Sequence, residues 1–400
     1  MGICRRVGVV VVLLMVVPAG AGDWPGWRGP ARDGISPETG LNWQWPANGP
    51  KVLWKGSVGT GFSCLAVAGG RAYTLGNRDD VDTVFCFDGE TGSELWRHSY
   101  PCQLDPKAYE GGPMATPAVE GNCVYTISKF GDCFSLDAQT GNVFWSARFE
   151  PPPRTEDDYR VWWGYAGSIL VLQDRLILPV GTAGLAIDKL TGKTLWDNGP
   201  GYSGYSSPIL FEIEREPCFA FASGHEIVAA SIDDGRVHWK IPWKTEWDQN
   251  ASDVIIAEDK LFISTGHGVG CALFDLSTGA PAELYRNKNM RTYLSTCILR
   301  KEALYGFDDK QLRCLDWRTG QVRWTGPKQG LGSLILVEGR LVALQEDGTL
   351  RIVEAVSNAF KPLAETKVLD GRCWSAPALA DGRLFLRNAK GDVVCLDLRK

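Results

Sequence analysis

Few side chains in this 400-residue chain are placed where acid–base or metal chemistry can be read from spacing. There are four histidines. His98 and His238 flank tryptophans on strand-like stretches and read as solvent-facing residues. His225 and His267 differ, because each falls in a short turn between two strands. The segment Trp243-Lys-Thr-Glu-Trp247-Asp248-Gln-Asn250 lies between them. Asp248 and Asn250 offer oxygen donors suited to a hard cation, and the histidines offer nitrogen suited to zinc or copper. Asp248, Asn250, His225 and His267 therefore form a candidate polar or metal-binding pocket. The competing reading is ordinary capping of a loop by Asp and Asn. Twelve cysteines occur without any Cys-x-x-Cys or Cys-x-x-Cys-His spacing, so no zinc knuckle or covalent haem is signalled. Gly266-His-Gly-Val-Gly270 is followed by strand-like residues rather than a helix and reads as a turn, not a phosphate loop.

A second set of candidates is aromatic. The stretch 99–113 carries Tyr109, Glu110, Gly111 and Gly112. The stretch 150–165 carries Arg154, Asp157, Asp158, Arg160, Trp162 and Trp163, and the next connection adds Tyr202 and Tyr205. Aromatic rings beside arginines and carboxylates suit recognition of a peptide or a glycan. They equally suit a cap that packs on itself. No Ser-His-Asp arrangement and no pair of catalytic carboxylates can be read from spacing.

What positions these residues is a repeat. One pattern recurs: Asp, two residues, Thr-Gly, three residues, Trp. It stands as Asp88-Gly-Glu-Thr91-Gly92-Ser-Glu-Leu-Trp96, and again at Asp137, Thr140, Gly141, Trp145 and at Asp188, Thr191, Gly192, Trp196. Asp316, Thr319, Gly320 and Trp324 keep it whole. Ser231, Gly235 and Trp239 keep it with Ser for Asp, while Asp275, Thr278 and Gly279 keep the turn and lose the Trp. An eroded copy lies near Glu354, and the last stops at Asp397. Where the pattern is whole, the Asp carboxylate can accept N–H groups of the following turn, Gly can take a positive φ, and Trp offers a plate for packing between units. The period, about 40–50 residues, is that of propeller blades.

Upstream of each mark runs a strand–turn–strand unit, such as Thr116-Pro-Ala-Val-Glu-Gly-Asn-Cys-Val-Tyr125 and Ser375-Ala-Pro-Ala-Leu-Ala-Asp-Gly-Arg-Leu-Phe385. Eight such units predict an all-β, eight-bladed propeller of four-stranded antiparallel blades. The last unit lacks a fourth strand, and Gly49-Pro-Lys-Val-Leu-Trp54 is a strand without a blade. Joining the two closes the ring, with Trp54 as docking residue, and leaves no open sheet edge. Cys86, Cys314 and Cys395 fall where other units have Ala or Ser, two residues before the mark, and read as small buried side chains.

The ends and composition add limits. Arg5 and Arg6, an apolar run from Val7 to Val17 and Ala19-Gly20-Ala21 form the pattern of a secretory signal, residues 1–21. An N-terminal extension, 22–48, precedes the propeller at 49–400. No later segment is long and apolar enough to predict a membrane-spanning helix, so a soluble periplasmic or secreted protein, without a lipid anchor, is expected. The net charge of −5 argues against nucleic acid as a partner.

The Asp-x-x-Thr-Gly-x-x-x-Trp units resemble the PQQ-like repeat family over roughly Lys51 to the C-terminus. That family includes quinoprotein dehydrogenases, the propeller lipoprotein of outer-membrane protein assembly, and other bacterial envelope propellers. The opening Asp23-Trp-Pro-Gly-Trp-Arg-Gly-Pro30 resembles the start of that last group. The resemblance implies a propeller and leaves function divided. The leading expectation is a non-enzymatic binding or scaffold protein of the cell envelope, with an envelope protein, peptide or glycan as partner and no cofactor. The alternatives are a quinoprotein-type oxidoreductase using PQQ with calcium, for which Asp248 and Asn250 are the nominated pair, and an enzyme acting on extracellular polysaccharide. The adjacent-cysteine disulfide found against the quinone in the large alcohol dehydrogenases of that family has no counterpart here.

Overall fold

The computed structural model describes residues 22–46, 48–151 and 162–400. The signal-like segment and Arg154, Asp157, Asp158 and Arg160 lie outside the described residues. Among the described residues are eight four-stranded antiparallel units, and one of them gains a fifth, two-residue strand. Blades 1 to 7 run in chain order over 66–101, 118–148, 170–197, 209–242, 255–287, 298–328 and 332–367. Blade 8 takes its three inner strands from 378–397 and its outer strand from Lys51–Ser57, which pairs antiparallel with Asp392–Asp397. The ring is thus closed by the N-terminal strand, as the repeat count predicts.

The marks explain the blade-to-blade packing. Asp188 Oδ1 accepts the backbone N–H of Leu190 and Thr191 and the Thr191 hydroxyl, at 3.1, 2.8 and 2.7 Å. Asp88, Asp137 and Asp316 hold the same turn. The glycine then takes φ near +70°, and the preceding blade's tryptophan lies on it: a Cβ on Gly141 would stand 2.6 Å from Trp96. Five of the indole N–H groups donate into the next blade's turn, Trp54 to Gly89, Trp96 to Ala138, Trp145 to Lys189, Trp196 to Ile232 and Trp324 to Val356, at 2.8–3.1 Å. Trp54, Trp96, Trp145, Trp239 and Trp324 are buried and Trp196 nearly so.

Blade 5 does not lose its docking ring. Its outer turn is two residues longer, so Tyr285 falls opposite Leu273, as Trp196 falls opposite Ala186 in blade 3. The Tyr285 hydroxyl donates to the Trp317 carbonyl at 3.1 Å, and Gly320 lies against the ring. Blade 7 has Ala364 at that position. There Leu41, Trp43 and Trp45 of the extension join the core shared by blades 7 and 8, and the Trp43 indole donates to Glu338.

His98 and His238 are not the solvent-facing residues expected. His98 packs 4.9 Å from the Phe134 ring of blade 2, and the Nε2 atoms of both histidines are buried without a hydrogen-bond partner. His98 lies two residues after Trp96 in regular register and so shares its inter-blade face, whereas His238 is itself the bulged residue beside Trp239. The eleven cysteines from Cys64 onward are all unpaired, and all but Cys123 are buried.

Candidate functional site

The central channel is filled by the chain's own extension. Trp24 exchanges two backbone hydrogen bonds with Val67 on the inner strand of blade 1, each 2.7 Å. Pro25 accepts from Val119 of blade 2. Arg32 donates to the Ser168 and Ile169 carbonyls at blade 3, and Arg28 to the Thr296 and Cys297 carbonyls at blade 6. Ile35 and Ser36 run parallel to Leu336 and Val337 of blade 7. A segment of thirteen residues bonded to inner strands on opposite sides of a ring must cross its axis. Arg28 is buried, and desolvation lowers its pKa against the pull of Asp253 and Asp33. Arg32, also desolvated, is brought down to about 10. Carbonyls and one carboxylate meet these guanidiniums, except at Arg32 Nε, which is buried without a partner.

Trp27 is the floor of what remains. Its indole donates to Asp253 Oδ2 at 2.6 Å, while Asp253 Oδ1 accepts the Ser207 N–H at 2.7 Å. Above it, the connections between blades form a cup of about 100 Å³ lined by Phe62, Tyr109, Met114, Trp163, Tyr205, Gln249, Leu294 and Trp374, among others. The rings form a continuous arc. Trp374 stacks on Phe62 at 5.4 Å, Phe62 meets Tyr109 edge-on at 5.4 Å, Tyr109 stacks on Trp163 at 6.2 Å, and Trp163 meets Tyr205 edge-on at 5.7 Å. These spacings suit aromatic pairs. Charge is kept to the margin: Arg372 lies 4.5 Å over the Trp374 ring and donates to Glu110 at 2.6 Å, and the Trp374 indole donates to Glu346.

Of the aromatic candidates, Trp163 and Tyr205 line the cup. Trp162 lies under Lys107, whose ammonium is 4.3 Å from its ring centre. Tyr202 stacks on His225 at 3.9 Å. The polar candidates gather at the junction of blades 4 and 5. His225 Nε2 lies 2.8 Å from Asp248 Oδ1, and His267 Nε2 lies 2.5 Å from Gln249 Oε1. Trp247, Asp248 and His267 all take left-handed backbone angles, φ 65°, 53° and 53°, a conformation costly for such residues. Burial lowers the His267 pKa, against a pull upward from Glu246. Asn250 is a tether: its amide nitrogen donates to the carbonyls of Ser223, Gly224 and Trp243. Trp27, Phe62, Met114 and Trp374 were not legible as site residues. They come from separate segments that no repeat spacing links.

Fold and cup together define a repeat propeller with a plugged channel and an apolar mouth. The chain belongs to the family described as outer membrane protein assembly factor BamB, whose family model matches residues 82–326. It is similar to BamB from Moraxella catarrhalis, with 16% identity and a TM-score of 0.66 over 87% of this chain and 99% of that one. A europium-containing methanol dehydrogenase gives 14% identity and a TM-score of 0.67 over 92% and 89%. In sequence, a quinohemoprotein alcohol dehydrogenase, ADH IIB of Pseudomonas putida, is 26% identical over 196 residues. That match covers 46% of this chain and 25% of the dehydrogenase, so the chain spans about a quarter of that relative. The structural likenesses carry the fold alone.

The dehydrogenase likeness implies a quinone with calcium, and the residues present do not fit that pair. Calcium takes six to eight oxygen ligands. Among the described residues, the cup lining holds no carboxylate and no cation to meet an anionic quinone. At the nominated pair, Asp248 Oδ1 is held by His225, and Asn250 has one free oxygen, Oδ1, buried without a partner.

Proposed function

We propose that this chain is a non-enzymatic binding propeller of the cell envelope that takes an apolar or aromatic side chain of a protein partner into the cup above its plugged channel. The observation that carries the reading is the five-ring arc from Trp374 to Tyr205, with Arg372, Glu110 and Glu346 on its margin. Buried aromatic anchors surrounded by a polar rim are what protein recognition uses. The signal-like start of the sequence supports export, and the family supports an envelope protein as partner over a glycan. No helix among the described residues is long and apolar enough to cross a membrane. Asp248, His225, Gln249 and His267 then act as a brace that fixes the connection carrying the cup residue Gln249.

The test is a titration of the full chain with an unstructured peptide bearing Phe and Leu, read by the fluorescence of Trp27, Trp163 and Trp374. Saturable quenching or enhancement, lost in Trp374→Ala and unchanged by a Gly-Ser peptide of equal length, supports the reading. Equal responses to both peptides overturn it. Incubation with quinone and calcium that produces dye-linked alcohol oxidation would favour the oxidoreductase instead.

A further inference from the structure

Blade 4 departs from the other seven at one register. Where the second strand of a blade begins, its first framework residue lies opposite the mark: Arg71 opposite Asp88, Arg175 opposite Asp188, Lys260 opposite Asp275, Arg340 opposite Glu354 and Arg383 opposite Asp397. Blades 2 and 6 place Cys123 and Ala303 there, still opposite an aspartate. In blade 4 both charges are gone, and Cys218 lies opposite Ser231. Into that space come two more residues. Glu216 begins the same strand, and His238, one residue before the docking Trp239, leans over from the outer strand.

We infer that Glu216, Cys218 and His238 form a zinc-binding site on the rim of blade 4. The ligand atoms of all three lie within 4.8 Å of one another, and His238 Nε2 is 3.4 Å from Glu216 Oε2. Tetrahedral zinc with bonds of roughly 2.0–2.3 Å sets ligand atoms about 3.3–3.7 Å apart. The nitrogen–oxygen pair already has that spacing, and the sulfur, within 4.8 Å of both, closes the remaining gap of up to about 1 Å as the metal enters. His238 Nε2 is buried and, although it lies 3.4 Å from Glu216 Oε2, forms no hydrogen bond with it or with any other group, which leaves its lone pair open to a metal. Glutamate, cysteine and histidine mix oxygen, sulfur and nitrogen, which suits zinc better than calcium or magnesium.

Arg236 holds both Glu216 oxygens, at 2.8 and 2.6 Å. A carboxylate has lone pairs for both partners, so Arg236 keeps Oε1 while Oε2 turns to the metal. Three protein ligands leave the fourth position to water. Zinc takes cysteine as the thiolate, so the Cys218 proton leaves as the metal enters.

The test uses the full chain and cobalt(II) as a visible stand-in, followed by zinc. One equivalent of cobalt should give tetrahedral d–d bands and a thiolate charge-transfer band, both abolished by zinc. Cys218→Ser should remove the charge-transfer band, and His238→Ala and Glu216→Gln should each weaken binding at least tenfold. Cys123→Ser, with its cysteine at the same register of blade 2, should change nothing. Thermal melts of each variant without metal separate lost ligands from lost fold, and Glu216→Gln is nearly isosteric. Cobalt bound without a thiolate band, or with affinity equal in wild type and all three ligand variants, overturns the inference. So does no binding at all.

Discussion

Two groups of aromatic residues in this molecule look alike in composition and do different work. The framework rings, Trp54, Trp96, Trp145, Trp196, Trp239, Tyr285 and Trp324, lie between blades near the outer strands, most with the ring's polar atom spent on a carbonyl of the neighbouring turn. The cup rings, Phe62, Tyr109, Trp163, Tyr205 and Trp374, lie at the axis and pack chiefly on one another. The first group recurs with the repeat because every blade has the same neighbour to meet. The second does not recur, because the axis is a single place and each connection supplies one part of it. A tryptophan's role here is set by whether its surroundings repeat.

The largest test of the framework is ring closure. Deleting Lys51–Gly56 removes most of the strand that completes blade 8 and exposes the edge Asp392–Asp397. The expected outcome is an aggregating protein. A soluble deletion variant with an unchanged melting temperature would remove the closing strand from the account. Next in size are the docking rings. Trp145→Ala should cost about 3–5 kcal/mol in denaturant titration, the range for a buried large ring. Trp374→Ala, in the cup and half-buried, should cost about 1 kcal/mol while abolishing peptide binding. Equal losses of stability at the two positions would erase the distinction between the groups.

The same contrast explains what the sequence disclosed. Blade number, strand number and closure were legible because Asp, Gly and Trp return at fixed spacing, and the turn chemistry behind each is local. Tyr285 was not, because a turn two residues longer moves the docking ring off the expected position. The plug was invisible for a different reason. Residues 24–36 follow no strand or helix period, and their order comes from Arg28, Arg32 and Trp27 reaching carbonyls and a carboxylate more than a hundred residues away. The polar group was partly legible: topology brought Asp248 to His225, but the pairing of His267 with Gln249 and the tethering role of Asn250 depend on backbone turns that spacing does not reveal. Tyr285 sharpens the comparison at a smaller scale. Tyr285→Phe keeps the plate and deletes the hydroxyl that donates to Trp317, so a loss of about 1 kcal/mol is expected. A loss as large as that of Trp145→Ala would mean that the hydrogen bond, not the plate, holds blades 5 and 6 together.

The smallest effect concerns the marks themselves and is read through pH. Hydrogen bonds from the Thr191 hydroxyl and from backbone N–H groups hold the Asp188 carboxyl below the usual carboxylate range, and bonds from Thr91 do the same for Asp88. A carboxylate whose pKa is lower folded than unfolded stabilises the fold at pH values above its unfolded pKa. That contribution fades as the pH falls through the folded value, because the unfolded chain takes up the proton first. The marks therefore contribute fully at neutral pH and progressively less in acid, and Asp188→Asn isolates one of them. The amide keeps an acceptor oxygen for the turn but has no charge to lose. Its melting temperature should lie below that of the wild type at pH 7, and the gap should narrow as the pH is lowered into and below the carboxylate range. A gap that stays constant across that range would show that Asp188 acts through shape alone, in the same manner as Ser231, which occupies the mark of blade 4 without any charge.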